Sequence, residues 1–168
     1  GKLLVGQSGG CTAVINSSLV GVIEEALCHK EISGVLGAIN GVQGLLQGRL
    51  VDLGIESKST FRLLQKTPSA ALGSCRYKLQ EGDLERLIHL FRQHNVRYFL
   101  YIGGNDSADT SHRLAVAAEE IGYELRVMAV PKTIDNDLPV TDHCPGYGSI
   151  ARFIAQSTID AGMDTEAM

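Results

Sequence analysis

Two short apolar runs, Arg97–Ile102 and Leu125–Val130, each lead into a polar motif, and the stretch between them has helical periodicity. The first run opens into YIGGNDSADT (Tyr101–Thr110) and the second into VPKTIDNDL (Val130–Leu138). Both runs have the length and β-rich character of buried strands. Between them Ser107–Ile121 reads as a helix that carries Leu114, Ala117, Ala118 and Ile121 on one face. Strand, crossover helix, strand is a βαβ unit. Its parallel strands open at the same sheet edge, so the two motifs are expected to face each other across one cleft.

The residue types at these strand ends point to phosphate chemistry. Gly103 and Gly104 let backbone approach a ligand, and Ser107 is placed at the expected helix N-cap. Free amides and the helix dipole at that point attract an anion. The second motif gathers an ammonium, a hydroxyl, an amide and two carboxylates into Lys132–Asp137. Acids beside a phosphate site repel it unless a metal or a lysine mediates. Phosphoryl transfer uses that combination: cations for the charge, a base for the attacking hydroxyl, amides for the phosphate.

The rest of the chain repeats the layout. Lys2–Val5 is a short strand running into Gly6-Gln7-Ser8-Gly9-Gly10, with a helix expected from about Ala13 to His29 that buries Val14, Leu19, Val22, Ile23 and Leu27. No Gly-Lys-Ser/Thr closes this turn, so it is not a Walker A loop, and it is not GxGxxG. Gly34–Ile39 is the second expected strand, Asn40–Gly44 a turn, Leu50–Leu53 a short strand or a packing segment, and Ser59–Lys66 a short helix stopped by Pro68. Gly82–His94 is the clearest amphipathic helix, with Asp83 as its expected N-cap and Leu84, Leu87, Ile88 and Phe91 on its apolar face. His89 and His94 are expected to face solvent. Gly146–Gly162 reads as a last helix. The fold class that follows is α/β, a three-layer αβα sandwich on a mainly parallel, Rossmann-like sheet.

Composition excludes several function classes. The chain has 168 residues, 44% of them hydrophobic and 20% charged, and a net charge of −4 without a basic stripe, so nucleic acid is not an expected partner. No apolar run reaches membrane-spanning length, and no signal-peptide pattern opens the chain. Cys11, Cys28, Cys75 and Cys144 are scattered, with neither a CxxC pair nor a metal-like cluster, as expected of reduced thiols in a cytoplasmic protein.

GGNDS followed by PKTIDND resembles the phosphofructokinase family, and the lysine form of the second motif is similar to its pyrophosphate-dependent branch. SGGCTAVIN (Ser8–Asn16) and LGSCR (Leu72–Arg76) match two further family motifs in the same order. The resemblance implies phosphoryl transfer from pyrophosphate to the 1-hydroxyl of fructose 6-phosphate, with Mg²⁺ as cofactor. It implies Asp135 as base and Lys132 and Asp106 as further catalytic groups. It gives Gly10, Arg76, Gly103, Gly104 and Ser107 to the donor phosphates, and Thr133, Asp135 and Asp137 to the acceptor sugar, Asp137 either orienting it or supporting Asp135. Asn105 stands where the family commonly has a magnesium-binding Asp, so the metal falls to Asn105 or Asp106. ATP-dependent relatives usually have glycine where this chain has Asp106 and Lys132, and an acid, a proline and a glycine where it has Cys11-Thr12-Ala13. These departures favour pyrophosphate over a nucleotide.

Family members are roughly two to three times longer and carry a Met-Gly-Arg motif beyond TIDND. Residues 1–168 are thus expected to be the N-terminal, donor-binding domain, with the second, sugar-phosphate domain outside this chain and a homo-oligomer, dimer or tetramer, at full length. The alternatives are an ATP-dependent phosphofructokinase and a non-catalytic relative of the same fold. A Rossmann dinucleotide enzyme is disfavoured because the fingerprint glycines and a ribose-binding acid are absent.

Overall fold

Side-chain alternation along two central strands sets the architecture. In the computed structural model, which describes all 168 residues, Lys2–Gln7 (β1) sends Leu4 to one face of the sheet and Leu3 and Val5 to the other. Val96–Gly103 (β4) does the same with Phe99 and Tyr101 against Ile102. A strand covered on both faces must be apolar on both, and these two are.

The remaining elements follow in chain order. They are Ile15–Ala26 (α1), Val35–Ala38 (β2), Gly41–Leu46 (α2), Leu50–Asp52 (β3), Lys58–Leu64 (α3), Asp83–Gln93 (α4), Asn105–Glu120 (α5), Arg126–Pro131 (β5) and Tyr147–Ala167 (α6). The sheet order is β3-β2-β1-β4-β5. β2, β1, β4 and β5 are mutually parallel, and β3 alone pairs antiparallel, to β2. Helices α2, α4 and α5 cover one face, where Leu87, Phe91 and Leu114 pack on Phe99 and Tyr101; α1 and α3 cover the other through Leu19, Ile23 and Phe61. The expected αβα sandwich is thus present, with Leu50–Asp52 resolved as a true strand.

Several local expectations are overturned. Asn40–Gly44 is not merely a turn: Asn40 takes a left-handed φ of 56° and launches α2 at Gly41. Asp83 does not cap α4; Gly82, at φ 80°, is the capping residue, and Asp83 lies inside the first turn. Ser107 does not cap α5, because extended Gly104 does and Ser107 is buried in the first turn. Leu27 and Ile121 fall just beyond their helices and are half exposed. Within residues 1–168 the Leu125–Val130 run is an edge strand. β5 pairs only with β4, and Met128 is 63% exposed. Nor is any residue of α6 buried; Phe153, Ile154, Ile159 and Met163 all lie open on its surface.

Candidate active site

Three parallel strands end at one edge of the sheet, and the loops leaving β1, β4 and β5 meet there around a cleft of about 490 Å³. Gly10, Gly104 and Asp135, one from each loop, line it together.

The first loop, Ser8-Gly9-Gly10, is held from outside its own sequence neighbourhood. Gln7, fully buried, accepts a hydrogen bond from the Leu72 amide (2.9 Å) and donates to the Ile15 carbonyl (3.2 Å) and the Asn16 side chain (3.1 Å). Asn16 in turn accepts from the Ala71 amide (2.8 Å) and donates to the Thr67 carbonyl (2.9 Å). Gly9, at φ 76°, donates its amide to the Cys75 carbonyl (2.9 Å). The segment carrying Arg76 is thereby fastened beside the glycines. A Cβ on Gly10 would meet only the Arg76 guanidinium, at 3.6 Å, and the Lys132 ammonium, at 4.0 Å.

The second loop is held by its own helix. The Gly104 carbonyl accepts the Ser107 amide (3.0 Å) and the Ala108 amide (3.1 Å), so α5 starts directly at the strand end and points its N-terminus into the cleft. The Ser107 hydroxyl lies at the lining of the cleft. It bonds the Ser8 hydroxyl, which clasps the two loops together at the cleft floor.

The third loop closes the site. Lys132 touches both of the others: its backbone amide donates to the Gly103 carbonyl (3.0 Å), and its ammonium donates to the Gly10 carbonyl. The residue is 7% exposed. Burial lowers its pKa below the ordinary 10.5; Arg76 adds to the fall, and Cys11 and Asp135 oppose it. The Asp135 amide donates to the Thr133 hydroxyl (3.0 Å), leaving its carboxylate exposed to the cleft. The Asp137 carboxylate points back, accepting the Asn105 side-chain amide (3.0 Å) and, at 3.5 Å, the Thr133 hydroxyl. Asn136, at φ 55°, locks the rest of the loop by accepting the Cys144 amide (2.8 Å) and donating to the Asp142 carbonyl (3.1 Å).

Arg76, Lys78 and Lys132 line the cleft together with Asp106 and Asp135, three cations against two carboxylates in a chain of net charge −4. None of the five is in an ion pair; the chain's two pairs are His29–Glu25 and Arg86–Asp83. Such a site attracts an anion of high charge density. Thr12 buries an unpartnered hydroxyl, and Gly146, at the start of α6, packs closely against its side chain. No histidine lines the cleft.

Every residue the sequence singled out is within this loop cluster. Sequence reasoning missed Ser8, Tyr77, Lys78, Tyr101 and Thr110, which also line it. Lys78 was within reach, as a second cation two residues after Arg76. Tyr101 was not: it reads as a strand residue, yet its hydroxyl comes up beneath the floor and accepts the Val42 amide (3.3 Å). Burial raises that phenol's pKa well above its ordinary value.

The phosphofructokinase family profile matches residues 2–167. The pyrophosphate–fructose 6-phosphate 1-phosphotransferase of Xanthomonas campestris is 50% identical over all of this chain and 41% of its own length. That of Halomonas elongata is 48% identical over 96% of this chain and 40% of its own. The crystal structure of the pyrophosphate-dependent phosphofructokinase of Nitrosospira multiformis superposes with a TM-score of 0.92 and 47% identity, covering 97% of this chain and 41% of that one. The chain therefore spans about two fifths of the length of these relatives.

Proposed function

This chain belongs to the phosphofructokinase family, and on that premise we propose that it is the donor-binding domain of an enzyme that moves a phosphoryl group from pyrophosphate to the 1-hydroxyl of fructose 6-phosphate. The products are fructose 1,6-bisphosphate and phosphate, a glycolytic step. The observation that carries the reading is Lys132. Its ammonium sits on the Gly10 carbonyl beside Arg76 and is in no ion pair.

Pyrophosphate fits a site this charged and this short. Amides of the Gly10 and Gly104 loops and the α5 N-terminus receive its oxygens. Arg76 and Lys78 flank the transferring group, and Lys132 neutralises the phosphate that leaves. Asp135, its carboxylate free, takes the proton of the attacking hydroxyl, a role in which position matters more than basicity. Thr133 and Asp137 hold the acceptor side of the loop, Asp137 through its bonds to Asn105 and Thr133.

Mg²⁺ suits the residues present. No three His, Cys, Asp or Glu side chains converge as a cage, and Mg²⁺ characteristically binds one or two carboxylates plus substrate phosphates. Asp106 would supply the carboxylate, and the Asn105 side-chain oxygen, whose amide nitrogen bonds Asp137, would remain available as a neutral ligand. The ion would add positive charge to the donor phosphates.

Asp106 also argues against ATP. It stands in the first turn of α5, beside the phosphate path. A carboxylate 4 Å from a phosphate charge, at an effective dielectric of 20, costs about 4 kcal/mol. The sugar-phosphate domain, the homo-oligomer interface and a cytoplasmic setting complete the proposal. No helix here is long and apolar enough to cross a membrane.

The test is turnover of the full-length protein with pyrophosphate and with ATP side by side. Pyrophosphate turnover with near inactivity on ATP is expected, and Asp106→Gly should admit ATP. Asp135→Asn should lower kcat at least 10²-fold while fructose 6-phosphate binding changes little. A wild type that prefers ATP overturns the donor assignment.

A further inference from the structure

One buried charge has no part in the proposed chemistry. Asp83 is 3% exposed, and carboxylates are almost never buried unless paired. Its Oδ2 accepts two hydrogen bonds from the segment that precedes α4, the Tyr77 hydroxyl at 2.8 Å and the Gln80 amide at 2.8 Å. Its Oδ1 lies 3.4 Å from the Arg86 guanidinium, which is itself largely in solvent.

The segment so held has neither helix nor strand, yet it forms one wall of the cleft through Arg76, Tyr77 and Lys78. At its start the Cys75 carbonyl accepts the Gly9 amide. At its end Leu79 is buried and the Gln80 amide is fixed by Asp83. Arg76 and Lys78 are both exposed and unpaired. Long side chains on an irregular segment keep a productive placement only if the backbone beneath them is fixed. We propose that Asp83 is a positioning residue for donor binding, acting through Tyr77 and Gln80 to hold Arg76 and Lys78 against the donor phosphates.

This rests on the cleft being the donor site. The hydrogen bond to Asp83 raises the pKa of the Tyr77 phenol above its ordinary 10.0, with burial adding to it, so Tyr77 stays a donor throughout the working pH range. Unlike a capping acid, Asp83 directs its Oδ2 backwards, out of its own helix and into the preceding segment. An Asn at 83 keeps an acceptor oxygen in the same place and loses only the charge, whereas an Ala removes the anchor.

The experiment is steady-state kinetics on the full-length protein carrying Asp83→Ala, Asp83→Asn or Tyr77→Phe. With Asp83→Ala the kcat/KM for pyrophosphate should fall about tenfold, equivalent to ~1.4 kcal/mol, mostly through a higher donor KM, while the KM for fructose 6-phosphate stays within about twofold. Asp83→Asn should restore most of the donor KM, and Tyr77→Phe should raise it about threefold. An unchanged donor KM in Asp83→Ala, or equal rises in both KM values, overturns the anchor. If Asp83→Ala does not fold, Tyr77→Phe decides by the same criterion, since it removes one of the two bonds and leaves the buried carboxylate in place. A wild type without pyrophosphate turnover refutes the donor assignment instead, and the anchor is then read from the KM of ATP in the same variants.

Discussion

The two glycine turns at the sheet edge look alike in sequence and are built in opposite ways. The loop after β4 is local: strand, two glycines, then a helix whose first amides bond the second glycine's carbonyl. The loop after β1 is non-local. No side chain caps α1, and the order of Ser8-Gly9-Gly10 comes from Gln7 and Asn16 reaching to residues 67–72 and from Gly9 bonding Cys75. A local loop forms with its helix; a non-local one forms only when distant segments have docked. The first loop is therefore the one whose shape depends on the Arg76 wall, and this couples a glycine turn to a cation that, in the proposed function, meets the same donor.

Breaking the non-local loop should have the largest effect. Asn16→Ala removes a side chain that is 1% exposed and serves four partners. It leaves the Thr67 carbonyl and Ala71 amide unmatched, at a cost of about 3 kcal/mol. Urea unfolding of this chain should show it as a lowered midpoint with little change in slope. Cutting the cross-loop clasp with Ser107→Ala should cost only about 1 kcal/mol, because the Gly104 bonds that set the second loop survive it. Equal losses would erase the distinction.

Glycine substitutions give a second, smaller contrast. A Cβ on Gly103 would collide with the Ser107 side chain and come within 2.7 Å of the Ser8 hydroxyl, so Gly103→Ala should destabilise by roughly 2 kcal/mol through overpacking. Gly10→Ala meets only two flexible cation tips and should leave the thermal midpoint unchanged. It should instead lower kcat/KM for pyrophosphate about tenfold, ~1.4 kcal/mol, because the methyl would stand where the proposed donor's phosphate oxygen approaches the Gly10 amide. Thermal melts and kinetics on the same two variants separate a packing glycine from a binding one.

How much of this was legible in the sequence follows the same division. Periodicity and glycine placement located four of the five strands and left Leu50–Leu53 open between a strand and a packing segment, and the order of motifs put Gly10, Gly104 and Asp135 at one edge. Those signals are local, or follow from the handedness of βαβ units. What stayed hidden depends on contacts between segments far apart in sequence. Ser107 had the composition of an N-cap, but packing against Ser8 turned it into a cross-loop clasp. Asp83 looked like a helix cap and is a buried anchor for the preceding segment. The β5 run read as buried because its residues are apolar; within residues 1–168 it has one neighbour, β4. Arg76 was located by motif alone; nothing in its local sequence says that Gly9 and Asp83 hold the segment on either side of it.

Lys132 belongs to both loops, and pH separates its two attachments. Its backbone amide bonds Gly103 at any pH, whereas its side-chain bond to the Gly10 carbonyl is charge-assisted only while the amine is protonated. Burial has lowered its pKa below 10.5, so the unfolded chain holds this proton more tightly than the folded one. Stability should therefore rise with pH between the lowered value and 10.5, since there the unfolded state binds more protons. Donor affinity should move the other way. A bound phosphate favours the ammonium and raises its pKa again, so binding takes up a proton in that window and weakens as pH rises through the lowered value. Titration calorimetry of pyrophosphate in buffers of different ionisation enthalpy measures the uptake directly, and urea midpoints over the same pH range measure the stability. Lys132→Met should abolish both slopes, and Lys132→Arg should abolish the uptake while keeping affinity, since its guanidinium does not titrate there. If affinity and stability fall together with pH in the wild type, the ammonium is not the group that ties the first loop to its ligand, and the coupling between the two loops runs through the Ser8–Ser107 clasp alone.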